Sequence, residues 1–188
     1  MAEAALASGH QVVLVSGPVC MPAPPGSRVC AAETAQDMYD AVASEIGHVD
    51  IAVFAAAVAD YRPVAPAVQK IKKAAARLTL ELERTPDILA AARAQMGFHG
   101  YLVGFAAETQ NVLANAQEKL VRKQCDMIVA NDVGRPGIGF DSGENEVTLC
   151  LPGGETLLLP RQPKSELART LMAIITQRAA AGSLAISL

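Results

Sequence analysis

Tryptophan is absent from the 188 residues, and no apolar run reaches the ~18 residues that a membrane span needs. No membrane partner is expected. The opening stretch, MAEAALASGHQ, has no basic segment leading into a long apolar one, so no signal peptide is read there. Net charge is only −3 at pH 7, which excludes the global basic field of a nucleic-acid binder. Cys20, Cys30, Cys125 and Cys150 are scattered, form no CxxC pair, and have no histidine at ligand spacing. Four reduced thiols in a cytoplasmic protein are expected, with no structural zinc and no disulfide frame. Three catalytic signatures are also missing. No GxGxxG follows a strand, and neither a GxxxxGK[ST] loop nor a GxSxG elbow occurs. His10, His48 and His99 each stand beside a glycine and read as surface turns. A generic NAD(P)-binding dehydrogenase is left without its fingerprint.

What is present is a regular alternation. Apolar, β-branched runs at 11–16, 51–58, 101–107 and 127–131 read as buried strands. Helices are expected between them: an N-terminal one ending at Gly9, one capped by Thr34, one opening at 85–88, and one capped by Thr109. The segment 78–83, LTLELE, alternates with period two and reads as a half-exposed, antiparallel or edge strand. A hairpin follows at 146–159 around Pro152, Gly153 and Gly154, then a last helix from near Pro163. The pattern predicts one α/β domain over 1–182 with a fraying tail at 183–188. Its fold class is a Rossmann-like three-layer domain, with a mostly parallel sheet and an antiparallel hairpin extension.

The chain is organised around 55–73, AAAVADYRPVAPAVQKIKK. A buried strand delivers small residues and the carboxylate of Asp60 to its C-terminal end. A loop then carries Lys70, Lys72 and Lys73 back. In open α/β sheets ligands bind in the crevice outside the carboxyl ends of the strands. The same end of the sheet would receive 104–109 (GFAAET), 130–132 (AND) and the helix start at Pro86, Asp87 and Ile88. Lys119 and Lys123, four residues apart, share one helix face. With Lys70 they have the charge to neutralise a polyphosphate, though on spacing alone ordinary solvated helix charge is the better explanation of the pair.

These pieces, LVSGPV, AAAVADYRP, KIKK, TPDI, VGFAAET, KLVRK and IVANDV, occur in an order and spacing that resembles the phosphopantothenoylcysteine synthetase domain of coenzyme A biosynthesis. The resemblance spans nearly the whole chain. It implies a homodimer, and a CTP-dependent ligation of 4′-phosphopantothenate and cysteine through an acyl cytidylate. It implies nucleotide contacts at Ala56, Asp60, Lys70, Pro86, Asp87, Ile88, Leu89, Phe105, Lys119 and Lys123. Lys70 is the cation tied to catalysis, and Ala57 and Asn131 fall on substrate-binding positions. Mg²⁺ is expected with the nucleotide. FMN is not expected, and no residue is assigned to a resident metal. The hairpin and the Lys70 loop are the expected dimer contacts. Members of the family begin this domain with a strand and a glycine-rich loop, whereas Met1 here aligns with the helix after them. Weak activity of the chain alone is therefore expected. The alternative is a non-catalytic nucleotide-binding remnant, or a subunit needing a separate N-terminal segment.

Overall fold

The computed structural model describes residues 1–72, 77–134 and 142–185. Lys73, most of the 134–143 loop and the end of the tail lie outside them. The first helix, α1 (Ala2–Ala7), ends at Gly9, whose φ of 85° is a glycine conformation. Strand β1 (Val13–Ser16) pairs in parallel with β2 (Arg28–Ala31). Helix α2 (Ala35–Glu45) opens with a capping box: Thr34 accepts from the Asp37 amide, and Asp37 accepts from the Thr34 amide.

The second sheet begins with β3 (Ile51–Phe54). Next in the chain comes a small ribbon, β4 (Tyr61–Pro63) against β5 (Leu82–Arg84), antiparallel. The strand expected over 78–83 is thus confined to its last two residues and Arg84. Leu78, Leu80 and Leu82 are all exposed, so no apolar layer rewards a longer pairing there. Helix α3 (Ile88–Ala94) is followed by β6 (Tyr101–Glu108), α4 (Val112–Arg122) and β7 (Met127–Asp132). Then β8 (Glu144–Cys150) and β9 (Thr156–Pro163) form the hairpin, and α5 (Lys164–Ala185) closes the described chain. The order is β3-β6-β7-β8-β9, parallel through β7 and antiparallel beyond it.

Side chains alternate across this sheet into two cores. Val103, Met127, Val129, Leu149 and Leu151 pack with α1 and α5. Leu102, Ala106, Ile128, Ala130 and Cys150 pack with α3 and α4. The three-layer α/β arrangement is therefore as expected. Two local readings are corrected. Helix α4 is entered through Asn111, held in the left-handed region at φ 49°, and not through Thr109. Helix α3 is capped by Asp87, so Thr85 and Pro86 precede it; the Thr85 hydroxyl donates to the Ala59 carbonyl at 2.5 Å instead. Asp has the shorter route to the Ala90 amide, reached at 3.0 Å.

Sheet continuity is broken at one place. Neither β1 nor β3 pairs with the other; each has a partner on one side only. Helix α2 buries none of its own residues; Ile46, just beyond it, is 3% exposed. Its inner face looks onto the break.

Candidate functional site

A cleft of about 1950 Å³ opens between β1 and β3 and extends past the C-terminal ends of β3 and β6. Its walls include Ala56, Asp60, Pro86, Asp87, Ile88, Leu89, Phe105, Lys119 and Lys123. Nine of the residues singled out in the sequence therefore share one cavity, although they come from four separate segments. Ala57, Lys70 and Asn131 are not among its walls. Lys70 stands exposed on the segment that leaves β4.

Each wall residue has a local cause. The turn after β3 is held to the start of α3 by two bonds: the Thr85 amide donates to the Asp60 carbonyl at 3.0 Å, and the Thr85 hydroxyl to Ala59. This ties 59–60 to 85–88. Gly104 lets α3 approach the sheet, since a Cβ there would lie 2.8 Å from both Leu89 Cδ2 and Ile128 Cδ1. The N–H groups of Ile88 and Leu89 belong to the first helical turn and have no intrahelical acceptor.

The two lysines are internally engaged. Lys119 Nζ donates to the Phe105 carbonyl at 2.8 Å. Lys123, at the C-cap of α4, pairs through Nζ with Asp87 Oδ2. Lys123 is 8% exposed, and burial lowers its ammonium pKa from the ordinary 10.5, with the charges of Cys125 and Asp60 acting the other way. Asp87 uses its other oxygen to cap α3. Neither the lysine–carboxylate pair nor the lysine–carbonyl bond had a sequence signal, because the partners lie 36 and 14 residues apart. The spacing of the two lysines did.

Behind the site, Arg93 fastens the opposite corner. It donates to Asp126 Oδ2 at 2.6 Å, to the Phe98 carbonyl at 2.6 Å and to the Gln124 carbonyl at 3.2 Å. Asp126 Oδ2 also accepts the Leu102 amide at 2.6 Å. The clamp fixes the α4–β7 corner that carries Lys123. On β7, Asn131 Oδ1 is buried with no hydrogen-bond partner among the described residues. Glu108 accepts from Asn115 at 3.0 Å across the β6–α4 turn, and both line the cleft. Among the described residues no group of three or more His, Cys, Asp or Glu is placed to hold a metal. All four cysteines are free thiols. No helix among the described residues is long and apolar enough to cross a membrane.

The fold and cleft define a Rossmann-like α/β domain with a crevice at the C-terminal ends of β3 and β6. The chain belongs to the DNA/pantothenate metabolism flavoprotein C-terminal domain family, whose model matches residues 1–179. It is 41% identical over 174 residues to the coenzyme A biosynthesis bifunctional protein CoaBC of Vibrio vulnificus (strain YJ016), covering 92% of this chain and 43% of that protein. It is 41% identical over 181 residues to the protein of the same name from Escherichia coli (strain K12), covering 95% and 44%. The chain thus spans less than half the length of these relatives. The crystal structure of a CoaBC C-terminal domain superposes with a TM-score of 0.77 at 39% identity, covering 94% of this chain and 79% of that one.

Proposed function

We propose that this chain is the ligase part of a coenzyme A biosynthesis enzyme, joining 4′-phosphopantothenate to cysteine with CTP as co-substrate. The observation that carries the reading is the convergence of Lys119 and Lys123 with Asp60, Asp87 and the first turn of α3 on one cleft. The 41% identity to proteins named for coenzyme A biosynthesis supports the choice of reaction.

In this reading the triphosphate lies over α4, and its oxygens replace the Phe105 carbonyl and the Asp87 carboxylate as partners of the two lysines. The Ile88 and Leu89 amides, with Pro86 and Asp87, read the base or ribose, Phe105 gives an apolar wall, and Ala56 lets the ligand approach the backbone. Asp60 accepts a ribose or base hydrogen bond. The substrate carboxylate attacks the α-phosphorus, the bond to the β-phosphate oxygen breaks, and pyrophosphate leaves. The amine of cysteine then attacks the acyl carbon, CMP leaves, and the amine's proton is released. Charge builds on phosphate oxygens in the first step, so placement of cations dominates catalysis. Ala57 and Asn131 are assigned to the acyl intermediate; the buried Asn131 oxygen, without a partner among the described residues, supports this. Lys70 is assigned to the reacting phosphate, which requires its exposed segment to move over the cleft.

Mg²⁺ has no cage of protein ligands among the described residues. It fits only as a nucleotide-borne ion, bound through phosphate oxygens with Asp60 as a single carboxylate, and it is given no step here. A homodimer in the cytoplasm is part of the same reading. Tyr61, Val64, Val68, Ile71, Leu78 and Leu82 expose apolar side chains around the β4–β5 ribbon, which a second copy would cover.

The test is pyrophosphate release by the purified chain. The expected result is release that needs both CTP and 4′-phosphopantothenate and is lost in Lys119→Ala. Absence of CTP binding by the folded chain, seen by calorimetry, would sink the reading. A second reading, nucleotide binding without turnover, is favoured by the position of Lys70 outside the cleft. It predicts CTP binding with no pyrophosphate.

A further inference from the structure

The two lysines of the cleft are engaged in unlike ways. Lys119 Nζ donates to a neutral acceptor, the Phe105 carbonyl, at 2.8 Å. Lys123 Nζ pairs with a carboxylate, Asp87 Oδ2. In that pair the lysine is buried and the carboxylate exposed, so water and ligands reach it from the carboxylate side. Both residues line the cleft, and an incoming anion meets Asp87 before it can meet Lys123. Burial also works against the Lys123 charge. The ammonium therefore needs an anionic partner whether or not a ligand is bound.

Asp87 is placed to let go. Its Oδ1 accepts the Ala90 amide at 3.0 Å, so the carboxylate keeps a partner when Lys123 leaves. Nor does α3 come loose. Arg93, in its last turn, still donates to the Gln124 carbonyl and to Asp126 Oδ2, beside Lys123. The pair can thus open as a local exchange of one anion for another. Lys119 and Lys123 stand one helical turn apart, with Cβ atoms about 6 Å from each other. A chain of linked phosphates can serve both, whereas a carboxylate fixed at the start of α3 is paired with only one of them.

We propose that Asp87 is a resident competitor for the anion seat of Lys123, an autoinhibitory contact that a polyphosphate must displace. This assignment rests on the reading of Lys119 and Lys123 as phosphate ligands, and adds an order to it. A polyphosphate engages Lys119 first, where it replaces one neutral hydrogen bond. Its next phosphate then takes Lys123 from Asp87, and the ammonium stays paired with an anion throughout. The freed Oδ2 becomes an acceptor for donors on the same ligand. Pyrophosphate lacks the hydroxyl and amine donors of a nucleoside, so against it the exchange runs back more readily. One carboxylate thus guards the empty site against small anions and shortens the stay of a pyrophosphate product.

The experiment is calorimetric titration of the whole chain with inorganic tripolyphosphate and, separately, with CTP. Tripolyphosphate has no nucleoside, so it reports the anion seat alone. Asp87→Asn removes the charge and keeps the cap; Asp87→Ser, also a capping residue, replaces it if the first variant fails to fold. Tripolyphosphate should bind either variant about ten-fold tighter than the unaltered chain. CTP should gain less or lose affinity, because it forfeits the Asp87 acceptor. Removing any nearby carboxylate raises anion affinity through the general field, so the gain is measured again on a Lys123→Gln background. There it should fall below about two-fold, since the competitor acts only through Lys123. The proposal is overturned if neither substitution tightens tripolyphosphate binding, if the gain is as large without Lys123, or if no tripolyphosphate binds. CTP binding by the unaltered chain in any of these cases leaves the nucleotide reading standing. Its absence there removes that reading as well.

Discussion

Lys123 and Asp87 form an ion pair in which one partner is buried and the other is not: the lysine side chain is 9% exposed and the carboxylate 53%. The carboxylate is therefore supported by water and by the α3 amide that it caps, while the ammonium depends on the carboxylate. Removing the acid should hurt more than removing the base. Asp87→Ala is expected to destabilise the fold by about 2 kcal/mol, combining a lost cap with a stranded, partly desolvated charge and allowing for the exposure of the pair. Asp87→Asn keeps the cap and should recover about 1 kcal/mol of that. Urea unfolding of the two variants checks the order.

For the nucleotide reading, Lys119→Ala and Lys123→Ala should each weaken CTP binding by about ten-fold, roughly one charge-assisted contact. Calorimetric titration measures it. Lys70→Ala should leave that affinity unchanged and lower turnover, because Lys70 is outside the cleft in the unliganded chain.

Alkaline pH should expose the burial of Cys125. The thiol is pushed up to about 11 from 9.0, first by burial and then by the charge of Asp126. Below pH 9.0 folded and unfolded chains both hold the proton, and the contribution is fully present. Above 9.0 the unfolded chain releases it first, so stability falls as pH rises towards about 11. Lys123 acts in the opposite sense: its lowered pKa means that its burial penalty is relieved as pH rises towards 10.5. Comparison with Cys125→Ala separates the two. The variant should not show the thiol's share of the fall, measured as urea midpoints from pH 8 to 11.

Gly104→Ala and Gly100→Ala should differ in kind. At Gly104 the added carbon meets the ends of Leu89 and Ile128, which can shift, at about 1–3 kcal/mol. Because Leu89 sits in the first turn of α3, nucleotide affinity should fall as well. At Gly100 it would lie 2.3 Å from the Asp50 carbonyl oxygen, a backbone atom, so loss of folding is expected. Thermal melts and titrations of the two variants distinguish them.

Arg93→Lys is expected to fail as a replacement. Three acceptors on two segments, the loop at Phe98 and the 124–126 connection, are met by one planar fork, and an ammonium cannot reproduce that geometry. Loss of about 2 kcal/mol in urea, close to that of Arg93→Ala, is the outcome to look for.

Where local chemistry decides structure, the sequence was readable. The Thr34–Asp37 box, the run that became β6 and the Pro-Gly-Gly hairpin turn each carry their cause within a few residues. The alternation at 78–83 misled because a period of two needs a layer to pack on, and the exposed leucines have none. Thr109 misled because Asn111 accepts a left-handed backbone and starts the helix later. The Lys123–Asp87 pair and the gap beside β3 depend on residues brought together from distant segments, where no local pattern reports them. Strand-end position and the spacing of Lys119 and Lys123 marked part of the candidate site, while the assignment of these residues to a nucleotide came only through the family resemblance, since separate loops share no spacing rule of their own.

The β8–β9 hairpin has a consequence for the order of folding. Its strands are joined through Pro152–Gly154 and close a short loop, whereas β3 must find β6 across some fifty residues of chain. Short loops close first. The C-terminal hairpin should thus acquire protection ahead of β3 during refolding, and pulse labelling of Val147 and Leu149 against Ala52 and Phe54 would show it.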